Sequence, residues 1–350
     1  MDCLKPTVFS GVMPRSCGIK SQIVEDCVTK KRQLVILDFH PGPGAWRFDT
    51  ADISLGDLVP YLSASECIDL LADSGGNQED GFRFLVERFV LLFQELSQTT
   101  GLCLLDLESW SLLGLLNAQS PAFSRIKQFL ENNYPSLPAL ENYLYHVARQ
   151  FEVSHTDVNA ALAACRPLYH RFDCGKHASD QMRYLLRFLK CVTSLLPAEE
   201  TCLLFDGLPY NLAAVFTALP SVLAFNHIFF FDDFFALPGV TRTYILNHSR
   251  KLVLFKHHST ESVQQISALL DTQETNDITV SSYPQARRPL WRQSVWNDLS
   301  IYARPNRQNT GFSVVKKTKP RLRTDEITAL SSDEAIVVNL ENKDYFILRV

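Results

Sequence analysis

Lys20 and Ser21, adjacent in "PRSCGIKS", are the side-chain types that bind a phosphate and its metal ion. A phosphate-binding loop sets backbone N–H groups and an ammonium against the phosphates and a hydroxyl against magnesium. Gly18 precedes the pair and Gly11 lies further upstream, but Pro14 and Ile19 stand where the two glycines of a regular loop belong. The stretch is therefore either an irregular loop with extra residues or a plain corner between strand and helix.

Phosphate chemistry also needs an acid at a strand end to hold the metal and a second group to orient the attacking water. "HIFFFDDFF" ends its apolar run in Asp232 and Asp233, for which the plain alternative is a helix cap and a solvated turn. Asp206 in "LLFDGLP" competes with Asp232 and ranks below it, because Gly207 follows where an acid would. "SRKLVLFKHH" leads from Arg250 to Lys256, His257 and His258, a polar strand end placed to read a terminal phosphate. Arg242 and Arg250 are candidates for a cation that reaches into a neighbouring subunit's site, and the alternative for each is a solvated arginine.

These residues need a scaffold, and the apolar patterning supplies one. "TVFSGVM", "SQIVEDCVTKK" and "QLVILDF" alternate strand, helix and strand, and the unbroken apolar runs imply a parallel sheet covered on both faces. From Ser63 to Leu196 the period turns helical, with a capping box from Ser63 to Glu66 and an N-cap signal at Ser154. "FRFLVERFVLLFQELSQ" sets Phe82, Leu85, Phe89 and Leu92 on one stripe. Strands return in "TCLLFDGL", "HIFFFDDFF", "KLVLFKHH" and "DITVSS", and "DEAIVVNLENKDYFILRV" reads as a hairpin at the sheet's edge. The basic stretch 283–323 reads as a mostly irregular arm. The implied organisation is a first core segment over 1–60, a helical insertion over 61–198, a second core segment over 199–282, and arm plus hairpin over 283–350.

The 350 residues are 46% hydrophobic and 21% charged with a net charge of -4, which fits a globular chain and excludes a strongly basic nucleic-acid binder. Nucleic acid would need a local surface, and Trp291, Arg292, Trp296, Arg304 and Arg307 interleave rings with cations as a single-strand surface does. The same residues suit a subunit interface, the reading that ranks slightly ahead. Nine cysteines without metal-ligand spacing, no signal peptide and no bilayer-length apolar run point to a reducing, cytoplasmic setting.

In order and content the chain resembles the HerA/FtsK-like ATPases, among them type IV secretion coupling and viral packaging ATPases. The pieces are the loop candidate, "LDFHPG" with Asp38, His40 and Gly42, "NYPSLPALENYLYHV", "FFFDD", "FKH", and the closing "SDEAIV" hairpin. The resemblance implies a RecA-like P-loop NTPase parallel sheet with a large helical insertion and a C-terminal antiparallel hairpin. It implies ATP and Mg2+ as ligands, with Gly18, Lys20 and Ser21 on nucleotide, Ser21 and Asp232 on metal, and Asp233, His257 and Arg250 in catalysis. It also implies a ring or a mixed oligomer that moves DNA or protein. Departures sit at the chemistry: Ile19 for glycine, Asp233 for a glutamate, His257 for a glutamine. They imply weakened hydrolysis. The alternatives are a non-catalytic scaffold in such an assembly and a small-molecule or nucleoside kinase with the arm as lid.

Overall fold

The computed structural model describes residues 5–13, 18–41, 46, 48–75, 80–149, 151, 153–154, 156–172, 181–257, 259–269, 272–283, 309–320, 322–331 and 333–349. The chain divides into two compact units, Met1–His257 with Leu330–Val350, and His258–Ala329.

The first unit is built on a nine-stranded sheet. Its strands are β1 (Thr7–Ser10), β2 (Gln33–Asp38), β3 (Ala51–Asp52), β4 (Leu168–Arg171), β5 (Thr201–Asp206), β6 (Asn226–Phe231), β7 (Lys251–Leu254), β10 (Glu334–Asn339) and β11 (Tyr345–Arg349), where β8 and β9 are kept for the second unit. They lie in the order β11-β10-β7-β1-β6-β5-β2-β4-β3. From β7 to β3 every pairing is parallel, and only β10 and β11 run against their neighbours. This is the expected parallel sheet with its antiparallel hairpin at one edge.

Burial explains why these segments are strands. All six residues of β2 and of β5 are buried, so both faces of the sheet are covered. Alternate residues build one core face: Phe9, Leu34, Ile36, Cys202, Leu204, Ile228, Phe230, Val253, Ala335 and Val337. Helix α1 (Ile19–Thr29) lies over it through Ile19, Ile23, Val24 and Cys27, spaced to share one helical stripe. Ile19 thus belongs to the core between sheet and helix.

The segment 61–198 is mainly helical, including Ala64–Gly75, Asp80–Thr100, Leu137–Ala148 and Gln181–Leu195. Ser63 and Glu66 form the expected capping box, with Ser63 N donating to Glu66 Oε2 at 2.9 Å and Glu66 N to Ser63 Oγ at 3.3 Å. Along Asp80–Thr100 the fully buried stripe is Val86, Phe89, Val90, Phe93 and Leu96, beside the half-buried Phe82, Leu85 and Leu92. Two local expectations change. Leu168–Arg171 is a strand beside β2, and the helix after Ser154 starts at Val158, capped by Asp157, whose carboxylate accepts from Ala160 N at 2.9 Å. Ser154 instead donates its backbone N–H to Asp57 at 3.0 Å.

The second unit holds helices Thr260–Leu269 and Thr324–Thr328 and a separate antiparallel ribbon, β8 (Thr272–Tyr283) with β9 (Asn309–Pro320). "DITVSS" is therefore in this ribbon and not in the main sheet, and 309–320, expected to be irregular, is a strand. Among the described residues no helix is long and apolar enough to cross a membrane. Arg292, Trp296, Arg304 and Arg307 lie outside the described residues.

Candidate functional site at the carboxyl edge of the sheet

Parallel strands bring their carboxyl ends to one edge, where backbone turns into loops and ligand sites of open α/β sheets form. Register sets Asp38 beside Asp206, and Asp206 beside Phe230. Over this edge sits the N-terminus of α1. Its cap residue Gly18 is exposed, its first turn has no acidic residue, and no side chain caps it among the described residues. The N–H groups of a helix's first turn and its dipole favour an anion.

Lys20, in the first turn, crosses the sheet above β6. Its ammonium pairs with the carboxylate of Asp206, 5.0 Å from the ring centre of Trp46 and 5.4 Å from that of Phe230. Asp206 is 2% exposed and also accepts from Trp46 Nε1 at 2.8 Å, with His40 Nε2 3.2 Å from its other oxygen. Burial pushes the Asp206 carboxyl up, but the hydrogen bond from His40 and the charge of Lys20 outweigh it and hold it below the usual range. The same hydrogen bond raises the His40 imidazole against the opposing effect of burial.

His40 reaches Asp206 because residue 207 has no side chain. A Cβ at Gly207, whose φ is +71°, would fall 2.5 Å from the imidazole Cε1. Asp38, fully buried, accepts from His40 N at 3.0 Å and from the Tyr169 hydroxyl at 2.8 Å. Burial, then Asp38, pushes that phenol up. One oxygen each from Asp38 and Asp206 and one nitrogen from His40 lie within 4.8 Å of one another, a donor set able to hold a metal.

A second polar group lies at the ends of β1 and β7. Ser10 Oγ accepts from Phe234 N at 2.9 Å and lies 3.2 Å from His257 Nε2, while His257 Nδ1 is 3.7 Å from Asp233 Oδ1. Ser10 is wholly buried and His257 nearly so, which removes both from a dissolved substrate. Asp233 also caps the turn Phe234–Ala236 by accepting from Phe235 N at 3.0 Å.

The structure thus brings Asp233 and His257 together and sets Lys20 on Asp206. Asp232 is exposed, and the contacts of Lys20 among the described residues are Asp206, Trp46 and Phe230. Ser21 is half-buried on α1. Arg250 lies 3.6 Å from Glu341 and its carbonyl accepts from Leu340 N, so it is tied to the turn of the C-terminal hairpin. Arg242 donates to the carbonyl of Phe235 at 2.8 Å. Trp46 and Tyr169 were not singled out by their sequence positions. The available signal was the shared form of "QLVILD" and "TCLLFD", two apolar strands each ending in an aspartate.

No protein-family model matches the chain, and no curated protein sequence matches it. Among solved structures it is similar to the bacterial conjugative coupling protein TrwBdeltaN70, at 13% identity and a TM-score of 0.49 over 100% of this chain and 85% of that one. It is also similar to the plasmid coupling protein TrwB in complex with ADP and Mg2+, at 12% identity and a TM-score of 0.45 over 99% and 85%. A third is the genome packaging NTPase B204 from Sulfolobus turreted icosahedral virus 2, at 7% identity and a TM-score of 0.39 over 100% and 98%. At such values these are likenesses only, and the fold assignment rests on the strand order and direction of the sheet.

Proposed function

We propose that the chain is a nucleoside-triphosphate-binding, ATPase-like subunit of an assembly that moves DNA or protein, with weakened hydrolysis. The observation that carries the nucleotide part is the pairing of Lys20 with Asp206 at the N-terminus of α1, which no side chain caps among the described residues. An ammonium parked on a buried carboxylate is a cation ready to exchange that partner for a phosphate. The transfer part is supported by the order of motifs along the chain.

Magnesium takes oxygen ligands, which a hydroxyl and a carboxylate at this edge would supply. Ser21 and an edge carboxylate would hold it, and the geometry favours Asp206 over the exposed Asp232. Bound there, the ion would neutralise charge on the phosphates. This chain's own part is to supply Lys20 to the phosphates, to keep the Asp206 oxygens oriented through Trp46 and His40, and to keep water out with Trp46 and Phe230.

One observation favours a second reading, a non-catalytic scaffold. Lys20 is boxed by Asp206, Trp46 and Phe230 with 16% of its side chain exposed, so the ion pair itself takes the place of a ligand. Calorimetry with a non-hydrolysable ATP analogue and magnesium separates the two. Binding at micromolar concentrations in the parent, weakened at least about 100-fold in Lys20→Ala, is the expected result, as loss of a charge-assisted phosphate contact of about 3 kcal/mol requires. No binding at millimolar nucleotide in the folded parent would establish the scaffold instead.

A further inference from the structure

Asp38, His40 and Asp206 present two carboxylates and one imidazole at neighbouring strand ends fixed by sheet register. His40 Nε2 and Asp206 Oδ1 are 3.2 Å apart. Two donors each about 2.1 Å from one ion, at tetrahedral or octahedral angles, lie roughly 3.0–3.4 Å apart. The supports of a metal site are also in place. The Tyr169 hydroxyl holds Asp38 at 2.8 Å, Trp46 Nε1 holds Asp206 at 2.8 Å, and the bare Gly207 makes room for the imidazole. A positive charge already rests on this carboxylate, and the chain itself supplies it through Lys20.

We propose that Asp38, His40 and Asp206 form a three-ligand site for a divalent transition-metal ion that fills without nucleotide. The imidazole decides the class, because a nitrogen beside two carboxylates suits a Zn2+-like ion better than Mg2+, which takes oxygen ligands and keeps its waters. His40 is 43% exposed, so the open coordination positions face solvent on its side. Lys20 competes with the ion for Asp206. The proposal rests on the reading of Asp206 as the carboxylate that meets a metal, and metal titration without nucleotide lets the two readings fail separately.

The test is calorimetric titration of the chelator-treated full chain with Zn2+ and Mg2+, and visible absorption with Co2+. Four proteins are compared: the parent, His40→Ala, Tyr169→Phe and Lys20→Met. One Zn2+ per chain is expected, with Mg2+ at least about 100-fold weaker. His40→Ala should weaken Zn2+ binding at least about 100-fold and abolish the Co2+ bands, and Tyr169→Phe should weaken it about 10-fold. Lys20→Met should tighten it about 10-fold by removing a like charge, a gain that misfolding does not produce. A parent that binds no Zn2+, binding unchanged in His40→Ala, or weaker binding in Lys20→Met each overturns the proposal. Nucleotide binding without Zn2+ binding overturns it and leaves the nucleotide reading standing, while Zn2+ binding without nucleotide binding does the reverse.

Discussion

Lys20 has three neighbours that define its state, and one of them is a fluorophore. Its ammonium lies 5.0 Å above Trp46, whose indole N–H donates to the same Asp206 that pairs with Lys20. When a phosphate draws Lys20 away, Trp46 loses the cation over its ring while its own hydrogen bond faces a newly unpaired carboxylate. Titration with magnesium and ATP should therefore change the tryptophan emission of the parent. In Trp46→Phe that change should vanish, and losing one hydrogen bond to a buried carboxylate should lower stability by about 2 kcal/mol. A change of equal size in Trp46→Phe would mean that Lys20 does not leave its box. Lys20 stood out at the start of a helix-like run, but its partner Asp206 ranked below Asp232 in the sequence. The strand that ends in two acids, β6, lies next to β1, and Lys20 passes above Phe230 to reach the next strand over. Strand order decides which carboxylate faces the ammonium, and linear order along the chain does not contain it.

At the scale of elements, the hairpin of β10 and β11 divides sharply in its energetics. Ile336, between β7 and β11, is fully buried, whereas Phe346 on the outermost strand is 56% exposed. Ile336→Ala should cost about 2–5 kcal/mol through lost burial and a cavity, and Phe346→Ala about 0.5 kcal/mol. Urea unfolding reads both, and comparable losses at the two positions would mean that β11 is covered by something in solution. This hairpin was readable because two apolar runs flank "NLENKD", and β2, β5 and β6 were readable because strands covered on both faces lack polar alternation. The ribbon of β8 and β9 was not. The lysines and proline of "GFSVVKKTKP" conceal a strand whose partner ends before a long intervening stretch, so neither period nor turn chemistry announces the pairing. Ser154 failed as a helix cap for a tertiary reason, since its hydroxyl, the group that would cap, is turned to the carbonyl of Asp52 at 2.8 Å, far upstream.

The stability of the first unit as a whole should carry the signature of one buried histidine. His227, fully buried at the start of β6, has its Nδ1 3.0 Å from the carbonyl of Phe225 and its Nε2 3.3 Å from Ser249 Oγ. A carbonyl only accepts, so Nδ1 carries a proton. Burial is the main cause that brings its pKa down from 6.5 to about 4, aided by the charge of His248 and opposed by the bond to Phe225. The folded state therefore takes up the proton less readily than the unfolded chain. The stabilising difference is complete above pH 6.5, shrinks as pH falls below it, and is gone below about 4. At about 1.4 kcal/mol per pH unit, that gap is worth on the order of 3 kcal/mol. His227→Gln keeps a neutral donor at the position and should lose stability by a constant amount, without this acid-side decline. Urea unfolding of both proteins at pH 7.5 and pH 4.5 isolates the histidine, because the carboxylates common to both contribute equally. The parent should lose about 2.5 kcal/mol more than the variant between the two pH values, and equal losses would show that the charged imidazole finds a partner or water inside the folded sheet.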